Sequence, residues 1–254
     1  TWDWIHWSGI GGKFGRELAT VAALTPYPPR VDYLLDLRPT WEEFRTHLKR
    51  NVRESLRHCY NSLKREGLSF ELSVAETPEA VRRALPVFLA LHAERAGLTE
   101  TTPHPDRFEA GICRDFLYDV CEGLAERGAA RVFLLNIHGH PVAARIGFVL
   151  GDELYLYYSG FDPLWRKYSV STTIVAEAMR YAIDLGLAAV NLSPGTDVSK
   201  TRWGPRTVLY PEAIQTNRSV RSRVTCAAYH HLMNGNRPRW LAPILDRLPK
   251  REWL

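Results

Sequence analysis

Three apolar runs separated by only two residues each limit the possible folds of this chain more than any other feature. The runs cover residues 131–138, 141–150 and 153–161 and are rich in β-branched, aromatic and aliphatic residues. The dipeptides at 139–140 and 151–152 each contain a glycine, and connections this short join antiparallel neighbours. The sequence therefore predicts an antiparallel meander of three strands.

The segment after this meander predicts a change of strand direction. A helix over 170–185 ends at Gly186, and a strand over 188–193 follows. A helix between two strands of one sheet forms a crossover, so we expect strand 188–193 to lie parallel to strand 153–161. A switch from antiparallel to parallel pairing favours ligand binding between the two strands.

The remaining predicted elements complete an α+β fold with a mixed sheet. They are helices over 40–67, 77–97 and 105–127, strands over 68–75 and 207–216, and two basic helices in the tail. Thr40 and Glu43 form a capping box at the start of the first helix. The first 35 residues read as irregular structure or short strands.

The composition is that of a globular protein, with 45% hydrophobic and 24% charged residues. No apolar run is long enough to cross a bilayer and the first residues do not form a signal peptide, so we expect a cytoplasmic protein. The four cysteines form no CxxC pair, and neither histidine pair (138/140 or 230/231) has further ligands at metal-binding spacing. We therefore predict free thiols and no metal.

The formal net charge of +5 is concentrated in residues 216–254. A basic surface favours anionic partners, including nucleotides, nucleic acid, anionic lipid and glycan. A second basic surface is predicted on helix 40–67, where five polar residues follow helical spacing away from the apolar face: Arg50, Arg53, Arg57, Asn61 and Lys64. This stripe is either a solvated helix face or a binding surface for a sugar nucleotide, lipid-linked sugar or tRNA.

The loop before helix 170–185 carries Arg166 and Lys167 next to the hydroxyl residues Ser169, Ser171 and Thr172. The first amides of a helix have no intrahelical acceptor and the helix dipole is positive there, so such a loop suits an anion. A plain N-cap is the alternative. This loop lies where strand pairing is predicted to switch from antiparallel to parallel, and that position favours a phosphate-bearing ligand.

Together these stretches resemble the GNAT N-acyltransferases, in the branch related to CelD of bacterial cellulose biosynthesis and to the Fem-type aminoacyl transferases. The matching segments are KRNVRESLRHCYNSLKREG (49–67), LHAERAG (91–97), HGHPVAARIGF (138–148), YYSGFDPLWRKYS (157–169) and GLAAVNLSPGTDVSKTRWG (186–204). The resemblance implies a GNAT-like mixed sheet flanked by helices. It also implies an acyl-coenzyme A thioester between two splayed strands, with its pyrophosphate at the start of the following helix.

This chain departs from the pattern of that branch at two places. Ser169-Val170-Ser171 replaces its usual Ser-Pro-Gly, and its later acidic strand end, Arg-Gly-Asp and Tyr-Lys motifs are only partly present. The strand here holds Asn191, Asp197 is retained, and Ser199 precedes Lys200.

Because this branch commonly has another half-domain upstream, the resemblance also predicts a division of the chain. Residues 1–35 are a remnant or an N-terminal extension of that half-domain, 36–216 form the acyltransferase domain, and 217–254 are basic helices packed on the same domain.

The resemblance implies a set of donor-binding residues. Tyr158, Ser159 and Gly160 either lie beside the thioester, where backbone N–H groups of a strand end stabilise the oxyanion, or are ordinary strand residues. The pyrophosphate contacts are Arg166, Lys167, Ser169, Val170, Ser171, Thr172 and Thr173.

Three residues are catalytic candidates. Asp197, which follows the parallel strand on a Pro-Gly loop, is a base or a ligand of the acceptor amine, although loop carboxylates are commonly solvated or capping. Tyr168 is a proton donor to the thiolate or a packed core tyrosine, and Lys200 completes the set. The predicted acceptor contacts, each with a solvated surface as its alternative, are His92, Arg95, Arg53, Arg57, Arg202 and Trp203.

The predicted function is an N-acyltransferase that moves an acyl group, such as acetyl, from coenzyme A to an amine of a sugar, polysaccharide precursor or small metabolite. Direct attack is expected because no cysteine or serine is paired with an evident base. One alternative is an aminoacyl-tRNA-dependent Fem-type transferase. Another is a GNAT-like scaffold that binds a ligand without turnover.

Overall fold

A computed structural model describes residues 2–9, 24–98, 104–195 and 197–233. The chain forms two compact units, one of residues 32–208 and one of residues 1–31 with 209–254. The predicted bounds were 35 and 216. Most of the N-terminal glycine cluster and the second predicted C-terminal helix lie outside the described residues.

A mixed sheet forms the centre of the unit 32–208. Its strands are β2 (Leu24–Asp36, from Asp32 onward in this unit), β3 (Phe70–Ala75), β4 (Ala130–Ile137), β5 (His140–Leu150), β6 (Glu153–Phe161) and β7 (Ala189–Pro194). Their spatial order is β2-β7-β6-β5-β4-β3. β6 and β7 are parallel, and every other neighbouring pair in this unit is antiparallel. The predicted meander, parallel strand and α+β class are confirmed.

Helices cover both faces of this sheet. They are α1 (Trp41–His47), α2 (Arg50–Arg65), α3 (Pro78–Ala96), α4 (Gly111–Ala125), a 3₁₀ helix (Pro163–Tyr168), α5 (Val170–Asp184) and α6 (Val198–Thr201). Neighbouring strand residues point to opposite faces. Phe133 belongs to the hydrophobic cluster with α1, α2 and α5, whereas Val132 belongs to the cluster with α3 and α4. The sheet is therefore a middle layer between two helical layers.

The predicted helix 40–67 is interrupted, which corrects the prediction. Thr40 caps α1 by accepting a hydrogen bond from the Glu43 amide at 3.2 Å. The Thr46 hydroxyl donates to the Glu43 carbonyl at 2.7 Å, and His47 Nδ1 contacts the same oxygen at 2.8 Å. Side chains that bind last-turn carbonyls compete with the helix ladder. Leu48 accordingly adopts an extended backbone before α2 begins.

Two further boundaries differ from prediction. The first hairpin turn is His138-Gly139, with φ of 50° and 79°, and β5 begins at His140. Two-residue type I′ turns require positive φ at both positions. The predicted helix 105–127 is shorter and spans Gly111–Ala125.

The other unit contains β1 (Trp4–Trp7), which pairs antiparallel with the end of β8 (Arg206–Thr216). His6 Nε2 lies 3.0 Å from a carboxylate oxygen of Glu212. The helix α7 (Val220–Met233) follows β8. The early part of the chain is thus more regular than predicted, since β2 alone has 13 residues. Within the described part of the chain, no helix combines the length and apolarity needed to cross a bilayer.

Candidate functional site

Strands β6 and β7 are paired only where they begin. Their register joins Glu153 to Ala189, Leu154 to Val190 and Tyr155 to Asn191. Beyond that point the described residues of the two strands form no pair, although β6 continues to Phe161 and β7 to Pro194. The sheet therefore opens between two neighbouring parallel strands.

Each of these strands has a bulge just beyond the last pair. On β6, Tyr157 and Tyr158 lie opposite the single residue Ile146 of β5. On β7, Leu192 and Ser193 lie opposite a single residue of β2, and Ser193 has a φ of 64°. Bulges bend a strand and increase its twist. They account for the divergence of β6 and β7.

Helix α3 approaches the open end of β6 very closely. A Cβ atom at Gly160 would lie 2.3 Å from the His92 backbone nitrogen, so no other residue fits without moving the helix. The His92 ring reaches the Ser159 carbonyl oxygen with Nδ1 at 3.0 Å. Its Nε2 accepts the Arg107 backbone N–H at 3.4 Å, so Nδ1 carries the proton and donates to Ser159. Burial lowers the pKa of His92, in agreement with this neutral ring.

Arg95 lies one helical turn further along α3 and follows β6 to its end. Its Nη1 donates to the Ser159 carbonyl at 3.4 Å, and its guanidinium carbon lies 5.8 Å from the centre of the Phe161 ring. Its Nη2 is 2.8 Å from Nε2 of His104. His92 and Arg95, predicted as a pair, therefore meet at Ser159. His92 is buried rather than on a solvated helix face.

The loop after β7 brings a cation and a carboxylate to the same opening. Lys200 Nζ lies 3.7 Å from Asp197 Oδ2 and 3.3 Å from the Ser193 hydroxyl, and it donates to the Pro194 carbonyl. Burial lowers the pKa of Lys200. Burial alone would raise the pKa of Asp197, but hydrogen bonds from Ser199 and the positive charge of Lys200 outweigh it and lower that pKa. Asp197 therefore suits binding of an ammonium group better than removal of a proton.

Arg145 on β5 belongs to this group, and the sequence interpretation missed it. It is paired with Ser159 in the sheet, and its Nε is buried without a hydrogen-bond partner among the described residues. Burial, together with the nearby charge of Arg95, lowers the pKa of Arg145 to about 10, with Asp197 opposing. The available signal was a single charged residue inside the apolar run 141–150.

The predicted phosphate loop forms the 3₁₀ helix and the start of α5. Ser169, with a φ of 55°, separates the two helices, and its carbonyl accepts the amides of Thr172 and Thr173 at 2.8 and 3.1 Å. The amides of Val170 and Ser171 precede these and have no acceptor inside a helix. Val170 and Thr173 are buried, so neither side chain is open to a ligand.

The cations of this loop are exposed. Arg166 and Lys167 both face solvent, and Lys167 Nζ lies 3.7 Å from Glu66 Oε2. The Tyr168 hydroxyl also donates to Glu66, at the end of α2, and its ring lies in the core. This placement gives no support to Tyr168 as a proton donor at the opening.

The remaining predicted acceptor residues lie apart from α3. Arg53 and Arg57 are exposed on α2. The buried residues of α2 belong to the hydrophobic cluster on one face of the sheet, and α3 lies on the other face. Trp203 is 3% exposed and belongs to the core, so its ring offers no open surface. Arg202 is half-buried beside it. Groups of three or more metal-ligating side chains are not found in the described ranges.

The arrangement combines an open strand edge with three cations and one ionised carboxylate. Backbone N–H groups at such an edge can stabilise a developing oxyanion, and Asp197 can hold an amine. The uncapped start of α5 can receive phosphate. These are the parts that transfer of an acyl group to an amine requires.

Comparison with known proteins agrees with this geometry. The profile of the family described as an acetyltransferase (GNAT) domain matches residues 50–201. No curated protein sequence matches the chain.

Solved structures that share the fold include the following three. A crystal structure of FemX superposes with a TM-score of 0.62 at 11% identity, covering 84% of this chain and 71% of that one. The C-terminal DUF2156 domain of a candidate lysylphosphatidylglycerol synthetase from Agrobacterium fabrum gives 0.55 at 14% identity, covering 87% and 70%. L-PGS from Bacillus licheniformis gives 0.52 at 14% identity, covering 84% and 68%. At such identities the likeness is one of fold alone.

Proposed function

The chain belongs to the acetyltransferase (GNAT) domain family and is an acyltransferase, and we propose that it transfers an acyl group from coenzyme A to an amine by direct attack. The observation that carries this proposal is the opening between β6 and β7 after the pair Tyr155–Asn191. A gap between neighbouring strands admits the narrow pantetheine arm of an acyl-coenzyme A. Backbone groups at the edge of β6 then face the thioester.

The start of α5 fits the diphosphate of that donor. α5 has 15 residues, and its first amides, on Val170 and Ser171, have no intrahelical acceptor. Ser169 makes no side-chain capping bond, and Arg166 and Lys167 are exposed next to it. Amides and cations of this kind bind phosphate.

In the proposed reaction, the chain's groups act at three points. Asp197 orients the acceptor amine, which attacks as the neutral form after losing its proton to solvent. Backbone N–H groups of the Ser159–Gly160 segment stabilise the carbonyl oxygen while the C–N bond forms and the C–S bond breaks. Lys200, whose pKa is lowered by burial, donates a proton to the leaving thiolate and regains one, through solvent, from the nitrogen as the amide forms.

Thiol release tests this proposal directly. The full chain is incubated with acetyl-coenzyme A and a panel of amines, and free thiol and acylated amine are both quantified. We expect equal amounts of the two products. Absence of thiol release with acetyl- and longer acyl-coenzyme A thioesters would reject the donor, and coenzyme A binding without turnover would identify a binding protein instead.

An aminoacyl-tRNA donor is the second candidate, supported by the cationic outer face of α2. Arg53 and Arg57 are exposed there, and Arg50 forms an ion pair with Glu54 on the same helix, at 2.7 Å. The shared fold with FemX and L-PGS is compatible with this donor. It predicts tRNA binding whose affinity falls steeply with salt, and aminoacyl transfer without thiol release.

A further inference from the structure

One atom of the Arg145 guanidinium, Nε, is buried without a hydrogen-bond acceptor among the described residues, and Arg145 is the strand residue paired with Ser159. Arg145 Nε is shielded from solvent and has no partner in the described part of the chain. A charged donor left without an acceptor in a desolvated place is costly. Arg145 as a whole residue is of intermediate exposure, so it is not sealed from a ligand that enters the opening.

The charges around Arg145 leave an excess of one positive charge. Three cations, Arg95, Arg145 and Lys200, interact there with two carboxylates, Asp197 and Asp32. His92 and His104 do not add to the charge at neutral pH, because burial lowers the pKa of both. Asp197 is held by Ser199 and Lys200, and Asp32 accepts a hydrogen bond from Asn191 at 3.2 Å.

We infer that the acceptor is an amino-acid-like compound whose carboxylate binds Arg145 and Arg95 while its amine faces Asp197. A carboxylate supplies one negative charge and two acceptor oxygens that match the planar edge of a guanidinium. This inference rests on the proposed function, because it names the substrate class for the same opening. The diphosphate of the donor is proposed to bind at a separate place, the start of α5.

Matched acids and amides test the carboxylate site without requiring turnover. The probes are N-acetylglycine, N-acetylalanine and N-acetylglutamine, each compared with its carboxamide, and binding to the full chain is measured by NMR titration. We expect at least one acid to bind, with its carboxamide about 10- to 100-fold weaker, because hydrogen bonds to charged groups differ by that factor.

Variants of Arg145 locate the effect. Arg145→Met should weaken binding of the acid by about 10- to 100-fold and leave the carboxamide unchanged. Arg145→Lys keeps the charge without the planar donors, and its affinity for the acid should lie between those of wild type and Arg145→Met. Arg114→Met, an exposed arginine on α4, is the matched control and should bind like wild type. If Arg145→Met does not fold, the acid–amide pair and Arg145→Lys still decide the question.

The outcomes separate this inference from the proposed function. Equal binding of acid and carboxamide, no binding of any acid, or full binding by Arg145→Met would overturn the carboxylate site. The same comparison is made in the thiol-release assay with glycine, alanine and glutamine against their amides. Equal thiol release from acids and amides would reject the carboxylate site but leave the proposed acyl transfer standing. Binding of the acid without thiol release would reject coenzyme A as donor but leave the carboxylate site standing.

Discussion

The two halves of β6 differ in how their backbone and side chains find partners. In the first half, Glu153 to Tyr155 pair with β7, and Leu154 is fully buried in the core. In the second half, the Ser159 carbonyl receives hydrogen bonds from His92 and Arg95 of α3 instead. A buried backbone carbonyl needs a donor. When a strand loses its neighbour, side chains from another element supply that donor and become part of the site.

Two glycines, one beside each half of β6, differ in what surrounds them. At Gly147 of β5, opposite Leu156 of β6, an added Cβ would lie 3.0 Å from the side chains of Leu154 and Phe133. At Gly160 it would meet α3 backbone atoms, at 2.3 Å from His92 N and 2.4 Å from the carbonyl carbon of Leu91. Side chains can shift by a few tenths of an ångström, whereas a helix backbone cannot do so independently. The open half of β6 is therefore the less tolerant one.

Gly160→Ala should have the largest effect. We expect the free energy of unfolding to fall by about 3 kcal/mol, because α3 must separate from β6, and by only about 1 kcal/mol for Gly147→Ala. Urea unfolding of both variants measures the difference. Equal losses in the two variants would contradict the contrast between the halves.

A glycine outside β6 provides the control for this pair. An added Cβ at Gly123 on α4 meets no atom within 4 Å. Because alanine favours a helix over glycine, Gly123→Ala should stabilise the chain by up to about 1 kcal/mol. A loss of stability there would mean that the glycine effects do not depend on local space.

Asp197→Asn should have the next largest effect, and the effect should be on turnover rather than on folding. The substitution keeps the shape and removes the charge that is proposed to hold the acceptor amine. We expect kcat/KM for the amine to fall by about 10- to 100-fold, with the KM of the acyl donor unchanged. Asp115→Asn, at an exposed position on α4, is the control. Full turnover by Asp197→Asn would remove this carboxylate from the proposed reaction.

Replacing Arg166 and Lys167 together by alanine tests the other end of the opening, where the donor diphosphate is proposed to bind. Both side chains are exposed, so water and salt screen their attraction. The Kd for coenzyme A should rise a few-fold, at most about tenfold, and the difference should shrink as salt is added. Titration calorimetry measures both. An unchanged Kd at low salt would exclude these cations from the donor site.

The antiparallel meander and the parallel strand of the sheet were predictable because their signals are local. The turn dipeptides, the apolar runs and the crossover length fix the meander and the parallel strand, and β6 has the predicted bounds of residues 153–161. The break between α1 and α2 was not predictable in the same way. It depends on the side chains of Thr46 and His47 binding one carbonyl, while helix periodicity continues across the break.

The site was less accessible to sequence reasoning, because its members meet only in the folded chain. His92, Ser159 and Asp197 were each proposed separately, and the close approach at Gly160 explains why the first two meet. Arg145 was missed because one charged residue among the apolar residues of β5 is compatible with the ordinary alternation of a strand. Trp203, by contrast, was predicted to contact the acceptor, whereas in the structure it is buried and packs in the core.

The smallest expected effect is the pH dependence that His92 adds to stability. Burial lowers its pKa in the folded chain, so the unfolded chain takes up the proton first as pH falls below about 6.5. The stability from the neutral ring is thus fully present above that pH and is lost as pH falls through the folded pKa.

His92→Gln retains a donor and an acceptor but does not titrate, so unfolding free energies between about pH 7 and pH 5 should vary less than in wild type. Some slope should remain, because burial also lowers the pKa of His104 and His230. Identical slopes in wild type and variant would show that the pKa of His92 is the same in the folded and the unfolded chain, which would contradict a buried neutral ring whose Nε2 accepts the Arg107 amide.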